Sequence, residues 1–288
     1  MYRRSLIAGL TGVVSGLAAA CSPLSLFNSL APRDPARIGP FGVRYGDGPR
    51  RRLDLYAPAN PGGRRWPLLV FFYGGAWNSG RREDYGWVGQ ALASRGFVTA
   101  IPDHRLVPEV RFPGFVEDGA AAVAAARRLA ARHGGDPDRI LLAGHSSGAY
   151  IAAMLALEPR WLRAARVDPA TVRAFAGLSG PYDFYPFDVA ASIEAFGQAP
   201  DPRMTQPVNL DLSQAPPAFL GHGARDETVQ LRNSRSLHRA LATAGRAVEL
   251  KVYETLDHKD VALSLSRPFR GKAPVLDDMT RFLHAHAG

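Results

Sequence analysis

The 288-residue chain is 46% hydrophobic and 21% charged, a balance that excludes an intrinsically disordered protein and allows one sizeable core. Its formal net charge of +9 is spread over scattered arginines, Lys251, Lys259 and Lys272 are the only lysines, and no basic stripe interleaves with aromatics, so nucleic acid is not an expected partner. The single cysteine, Cys21, excludes an internal disulfide and a cysteine-based zinc site.

In chain order, the basic head Met1-Tyr2-Arg3-Arg4 precedes an uncharged run of apolar and small residues from Leu6 to Ala20, too short to span a bilayer comfortably. The run ends in Leu17-Ala18-Ala19-Ala20-Cys21, so residues 1–21 read as a secretory signal. The terminal Ala-Ala-Cys resembles a bacterial lipobox, with Ala18 where that box usually carries leucine. The resemblance implies cleavage before Cys21, lipidation of its thiol, and an exported protein anchored on a membrane facing the periplasm. A plain signal peptide with an incidental cysteine, giving a secreted or periplasmic protein, is the alternative. Ser22 to Pro40 is rich in Pro, Ser, Ala and Arg without helical or strand period, which predicts a tether, with the folded domain spanning residues 41–288.

Arg51 to Tyr56 alternates polar and apolar as a half-buried strand does. Leu68 to Phe72, Phe97 to Ile101 and Arg139 to Ala143 are apolar runs suited to strands covered on both faces. Further strands are predicted at Val172 to Leu178, Ala218 to Leu220 and Val248 to Tyr253. Helices are predicted at Tyr85 to Ser94, Val116 to His133, Ala149 to Leu157, Val229 to Ala244 and Val275 to His286. Strands alternating with helices give an α/β fold with a mostly parallel sheet covered on both faces. Tyr182 to Leu212 breaks the rhythm with prolines and aromatics and reads as a small cap or lid inserted over one end of the sheet.

Gly144-His145-Ser146-Ser147-Gly148 lies between a predicted strand and a predicted helix, the context that a nucleophile elbow requires. Small residues at Gly144 and Gly148 let strand and helix approach closely, and the helix N-terminus favours negative charge developing at Ser146. After the strand ending at Phe72, Tyr73-Gly74-Gly75-Ala76-Trp77 could present backbone N–H groups to an oxyanion.

This loop resembles the His-Gly-Gly-x-Trp segment of α/β-hydrolase carboxylesterases related to hormone-sensitive lipase and of kynurenine formamidases. Asp103-His104-Arg105-Leu106-Val107-Pro108-Glu109 with Phe112-Pro113 and Asp118, and Gly221-His222-Gly223-Ala224-Arg225-Asp226, carry the same resemblance, which covers roughly Phe41 to the C-terminus. It implies the α/β-hydrolase fold and an oxyanion hole from the N–H groups of Gly75, Ala76 and Ser147. The departure is Tyr73, where the family's first histidine braces the loop; the backbone donors do not depend on it. It also implies Asp226 as the acid that orients His258, the general base on the loop after the last strand, in the order Ser, Asp, His that this fold uses. His145 and His222 read as loop-packing residues. Asp226 has an alternative reading as the cap of a helix beginning near Thr228. The expected activity is hydrolysis of small carboxylic esters by a serine acyl-enzyme mechanism without metal or cofactor. An arylformamidase is the near alternative, and a non-catalytic binding protein on the same fold would be expected to lack a triad member.

Overall fold

The computed structural model describes residues 23–60, 62–63 and 65–288. The expected signal segment and Cys21 lie outside the described residues. Nine strands form one sheet among the described residues: β1 (Ala36–Ile38), β2 (Val43–Arg44), β3 (Arg52–Pro58), β4 (Trp66–Phe72), β5 (Val98–Pro102), β6 (Gly135–His145), β7 (Val172–Leu178), β8 (Ala218–Gly223) and β9 (Val248–Tyr253). The spatial order is β1-β3-β5-β4-β6-β7-β8-β9, with β2 also on β3. β1, β2 and β5 are antiparallel to β3, and every pair from β5 through β9 is parallel. This is the α/β-hydrolase fold expected from the motifs.

The apolar runs are strands because both faces are covered and alternate side chains enter two different cores. In β4, Leu68, Val70 and Phe72 pack on one face, while Leu69 and Phe71 pack on the other. The first face is covered by α3 (Gly114–Ala130), α4 (Ser147–Leu157), α5 (Pro159–Ala164) and α7 (Arg232–Thr243). The second is covered by α2 (Gly86–Ser94) and α9 (Val275–His286), with α8 (His258–Leu263) near the strand ends. No helix among the described residues is long and apolar enough to cross a membrane.

Two expectations need correction. The stretch read as a tether is folded from residue 23 onward: α1 (Pro23–Leu30) packs Phe27 edge-on against Trp87 at 5.5 Å, Ser25 Oγ donates to Asp84, and Ala36–Ile38 joins the sheet. An eight-residue helix shows too little of a period to stand out, and its stability comes from these remote contacts. The predicted helix from Val229 starts three residues later, at Arg232, because the Asp226 carboxylate takes the N–H groups of Thr228 and Val229 into a turn. The prolines and aromatics of residues 182–212 form α6 (Ala190–Phe196) and two 3₁₀ turns over the end of the sheet. Phe196 is fully buried there, 4.8 Å from Trp77 and 5.2 Å from Tyr150.

Candidate active site

Ser146 sits on the turn from β6 into α4 with φ 55° and ψ −126°, a conformation costly for any residue with a Cβ. The turn is held because its neighbours are glycines at contact distance. A Cβ on Gly148 would lie 2.1 Å from the Phe72 carbonyl oxygen, and one on Gly144 would lie 2.4 Å from Gly148. The Ser146 N–H donates to the Leu178 carbonyl at 2.9 Å, tying the turn to β7 and leaving the side chain to project.

The three residues expected to act together meet here. Ser146 Oγ lies 2.9 Å from His258 Nε2, and His258 Nδ1 lies 2.8 Å from Asp226 Oδ2. With Asp226 accepting from Nδ1–H, Nε2 is the acceptor that faces the serine hydroxyl. Burial alone would raise the Asp226 carboxyl, but hydrogen bonds from His222 and His258 hold it below the ordinary carboxylate range. Asp226 therefore stays ionised at neutral pH. Its two alternative readings coexist: Oδ2 faces His258 while Oδ1 caps the turn at Thr228 and Val229.

Two histidines read as loop packing are bonded into this arrangement. His145 Nε2–H donates to the His258 backbone carbonyl at 2.9 Å, and burial followed by the charge of His258 lowers its pKa to about 3. It is thus a neutral donor that fixes the backbone of the base. His222 Nε2–H donates to the Val229 carbonyl at 2.8 Å and lies 3.3 Å from Asp226 Oδ2, while Ser234 Oγ donates to its Nδ1 at 2.7 Å. The signal for both was present in their places beside Ser146 and before Asp226; their partners were not.

The glycine loop after β4 runs alongside. Gly74 lies so close that a Cβ there would sit 3.0 Å from Ser146 Cβ. Gly75 has φ 153°, and Ala76 and Trp77 follow at φ 50° and 60°. The Gly75 carbonyl accepts from Asn78 N, Ser79 N and Ser79 Oγ at 2.9–3.0 Å, which closes the turn. Ala76 and Ser147 line the same cavity as Ser146; Gly75 does not border it directly. As the first residue of α4, Ser147 has an N–H with no carbonyl partner inside the helix.

Tyr73 supplies the bracing expected of a histidine. Its hydroxyl donates to Asp103 Oδ1 at 2.7 Å and accepts from Arg50 Nη2 at 3.0 Å, and its ring stacks between Tyr85 and His104. Burial, then the Asp103 charge, raises this hydroxyl well above an ordinary phenol, so it remains a donor. Asp103 also receives Arg82 N and Nη1, and Asp118 receives Arg105 N, Nε and Nη2 together with Arg51 Nε. The Asp-His-Arg-Leu segment is therefore the buckle beneath the glycine loop.

The cavity above Ser146 measures about 360 Å³. Trp77, Phe184 and Val189 form its apolar wall; Asp188, Glu227 and Arg232 give it a charged margin. Among the described residues, no group of three or more His, Cys, Asp or Glu side chains is placed to hold a metal ion.

A model of the BD-FAE family matches residues 53–241. The isoprenylcysteine alpha-carbonyl methylesterase ICME of Arabidopsis thaliana is 33% identical over 265 residues, covering 84% of this chain and 61% of that protein. Esterase LipC of Mycobacterium tuberculosis is 29% identical over 223 residues, covering 71% of this chain and 55% of that protein. The chain thus spans little more than half to three fifths of the length of these relatives. Among solved structures, a truncated carbohydrate esterase from gut microbiota superposes with a TM-score of 0.75 at 21% identity, over 89% of this chain and 99% of the other. A tributyrin phosphonate-inhibited esterase B from Lactobacillus rhamnosis superposes with a TM-score of 0.80 at 18% identity, over 92% of this chain and 90% of the other. At such identities the structural likeness establishes the fold.

Proposed function

The chain belongs to the BD-FAE family, and on that premise we propose that it is a serine carboxylesterase whose nucleophile is Ser146, general base His258 and orienting acid Asp226. The observation that carries the reading is the pair of hydrogen bonds of 2.9 Å and 2.8 Å linking Ser146 to His258 and His258 to Asp226, opening onto a cavity that accepts a small substrate. His258 Nε2 takes the proton as Ser146 Oγ attacks the ester carbonyl, and Asp226 stabilises the imidazolium so formed. The N–H groups of Ala76 and Ser147, with that of Gly75 behind them, receive the oxyanion. His258 then protonates the departing alcohol, and water, deprotonated by the same imidazole, releases the acid and restores Ser146.

The substrates are small carboxylic esters. The aromatic wall of Trp77 and Phe184, whose rings lie 6.0 Å apart and nearly parallel, also suits an aryl group, which supports N-formyl aromatic amines as a second class. A fluorophosphonate probe is expected to label the protein, and Ser146→Ala to abolish the labelling; labelling that survives would refute the nucleophile. A series of esters graded by acyl length, run beside an N-formyl aromatic amine, separates the two substrate classes by kcat/KM.

The N-terminal sequence supports a further part of the reading, export and lipidation at Cys21 with the enzyme held at a membrane. Cys21→Ser is then expected to block incorporation of a labelled fatty acid and to release the protein from the membrane fraction. Undiminished incorporation would overturn it.

A further inference from the structure

A second cavity, of about 480 Å³, lies behind the catalytic one and shares none of its lining residues. Its volume falls within the roughly 300–1,000 Å³ of small-molecule sites. Its wall is almost wholly apolar and is brought together from three remote parts of the chain: Phe27 of α1, Trp87 of α2, Leu263 of α8 and Phe269 beyond it. No carboxylate lines it. The one cation on its wall is Lys259, whose side chain is exposed and makes no ion pair among the described residues. The nearby acids are otherwise engaged: Asp260 pairs with Lys272, and Asp257 Oδ1 caps the N–H groups of Lys259 and Asp260. A deep apolar wall with a single available ammonium at its edge is complementary to an amphiphilic anion.

We propose that this cavity binds an alkyl carboxylate, its chain among Phe27, Trp87, Leu263 and Phe269 and its headgroup on Lys259. Such acids are the class that ester hydrolysis releases. That connection rests on the esterase reading, whereas the binding itself does not. The site adjoins the machinery, because His145 lines it and holds the His258 carbonyl, and because His258 is the first residue of the helix that carries Lys259 and Leu263. An occupant is therefore one hydrogen bond away from the base.

The test uses the full chain and 11-(dansylamino)undecanoic acid, followed by dansyl fluorescence, with and without prior fluorophosphonate treatment. Probe binding is expected to be the same in both preparations, which separates this site from the catalytic cavity whether or not Ser146 is labelled. Lys259→Ala is expected to weaken binding about fivefold, as loss of one partly exposed charge pair does. Ala262→Trp, which fills the cavity, is expected to weaken it about tenfold or more. Dodecanoate should displace the probe at lower concentration than dodecanol. Binding abolished by the fluorophosphonate, unchanged in Lys259→Ala, or displaced equally by acid and alcohol would overturn the proposal.

Discussion

Replacing His145 by glutamine should flatten the dependence of folding stability on pH. In the native protein the ring is buried and its pKa lies at about 3, against 6.5 for a free imidazole. Between those values the unfolded chain binds a proton that the folded chain refuses. Stability from this residue is therefore complete above about pH 6.5 and is lost as pH falls toward 3. At pH 5 the folded state still lies well above its own pKa, so the loss is set by the 1.5 units below 6.5, or about 2 kcal/mol at 1.36 kcal/mol per unit. A glutamine side chain does not titrate, and its amide can donate to the His258 carbonyl that His145 now holds at 2.9 Å. The assay is urea denaturation of both proteins at pH 7 and at pH 5. The drop in unfolding free energy between the two pH values should be smaller by about 2 kcal/mol in His145→Gln. Other groups, the buried His104 among them, titrate in both proteins and cancel in this difference. Parallel pH dependences for the two proteins would refute a neutral, buried His145.

Three further substitutions probe the other parts of the site. Asp226→Asn should reduce kcat by roughly 10³- to 10⁴-fold with little change in KM, as loss of the orienting acid does in comparable triads, and a loss under tenfold would remove Asp226 from its role. Tyr73→Phe deletes the hydroxyl between Arg50 and Asp103 and should cost about 1–3 kcal/mol in urea denaturation while fluorophosphonate labelling persists, because the backbone donors remain; an unchanged midpoint would show that the hydroxyl does not brace the loop. Gly148→Ala places a Cβ 2.1 Å from the Phe72 carbonyl oxygen, and backbone on both sides leaves no room for relief. It should destabilise the fold by about 3 kcal/mol or more, visible as a collapse of the thermal midpoint, and a melting temperature near that of the parent would refute the close approach.

The sequence by itself determined what depends on short stretches of chain. Leu68 to Phe72 and Arg139 to Ala143 had to be strands covered on both faces, since no other element of that length buries every side chain. Gly144 to Gly148 announced a turn in which only glycines fit beside Ser146, and the order of Ser146, Asp226 and His258 matched one fold. What it left out depends on partners far along the chain. His258 meets Ser146 across 112 positions, and His145 meets the His258 carbonyl across 113, so neither contact leaves a local pattern. The same holds for α1, whose prolines and serines read as a linker until Trp87 and Asp84 are brought beneath it. It holds too for Tyr73, an apparent departure until the fold sets Asp103 and Arg50 against its hydroxyl. Periodicity and turn chemistry are properties of neighbours in sequence and can be read there. Burial, tautomer and bracing are properties of neighbours in space, which the packed sheet alone assigns.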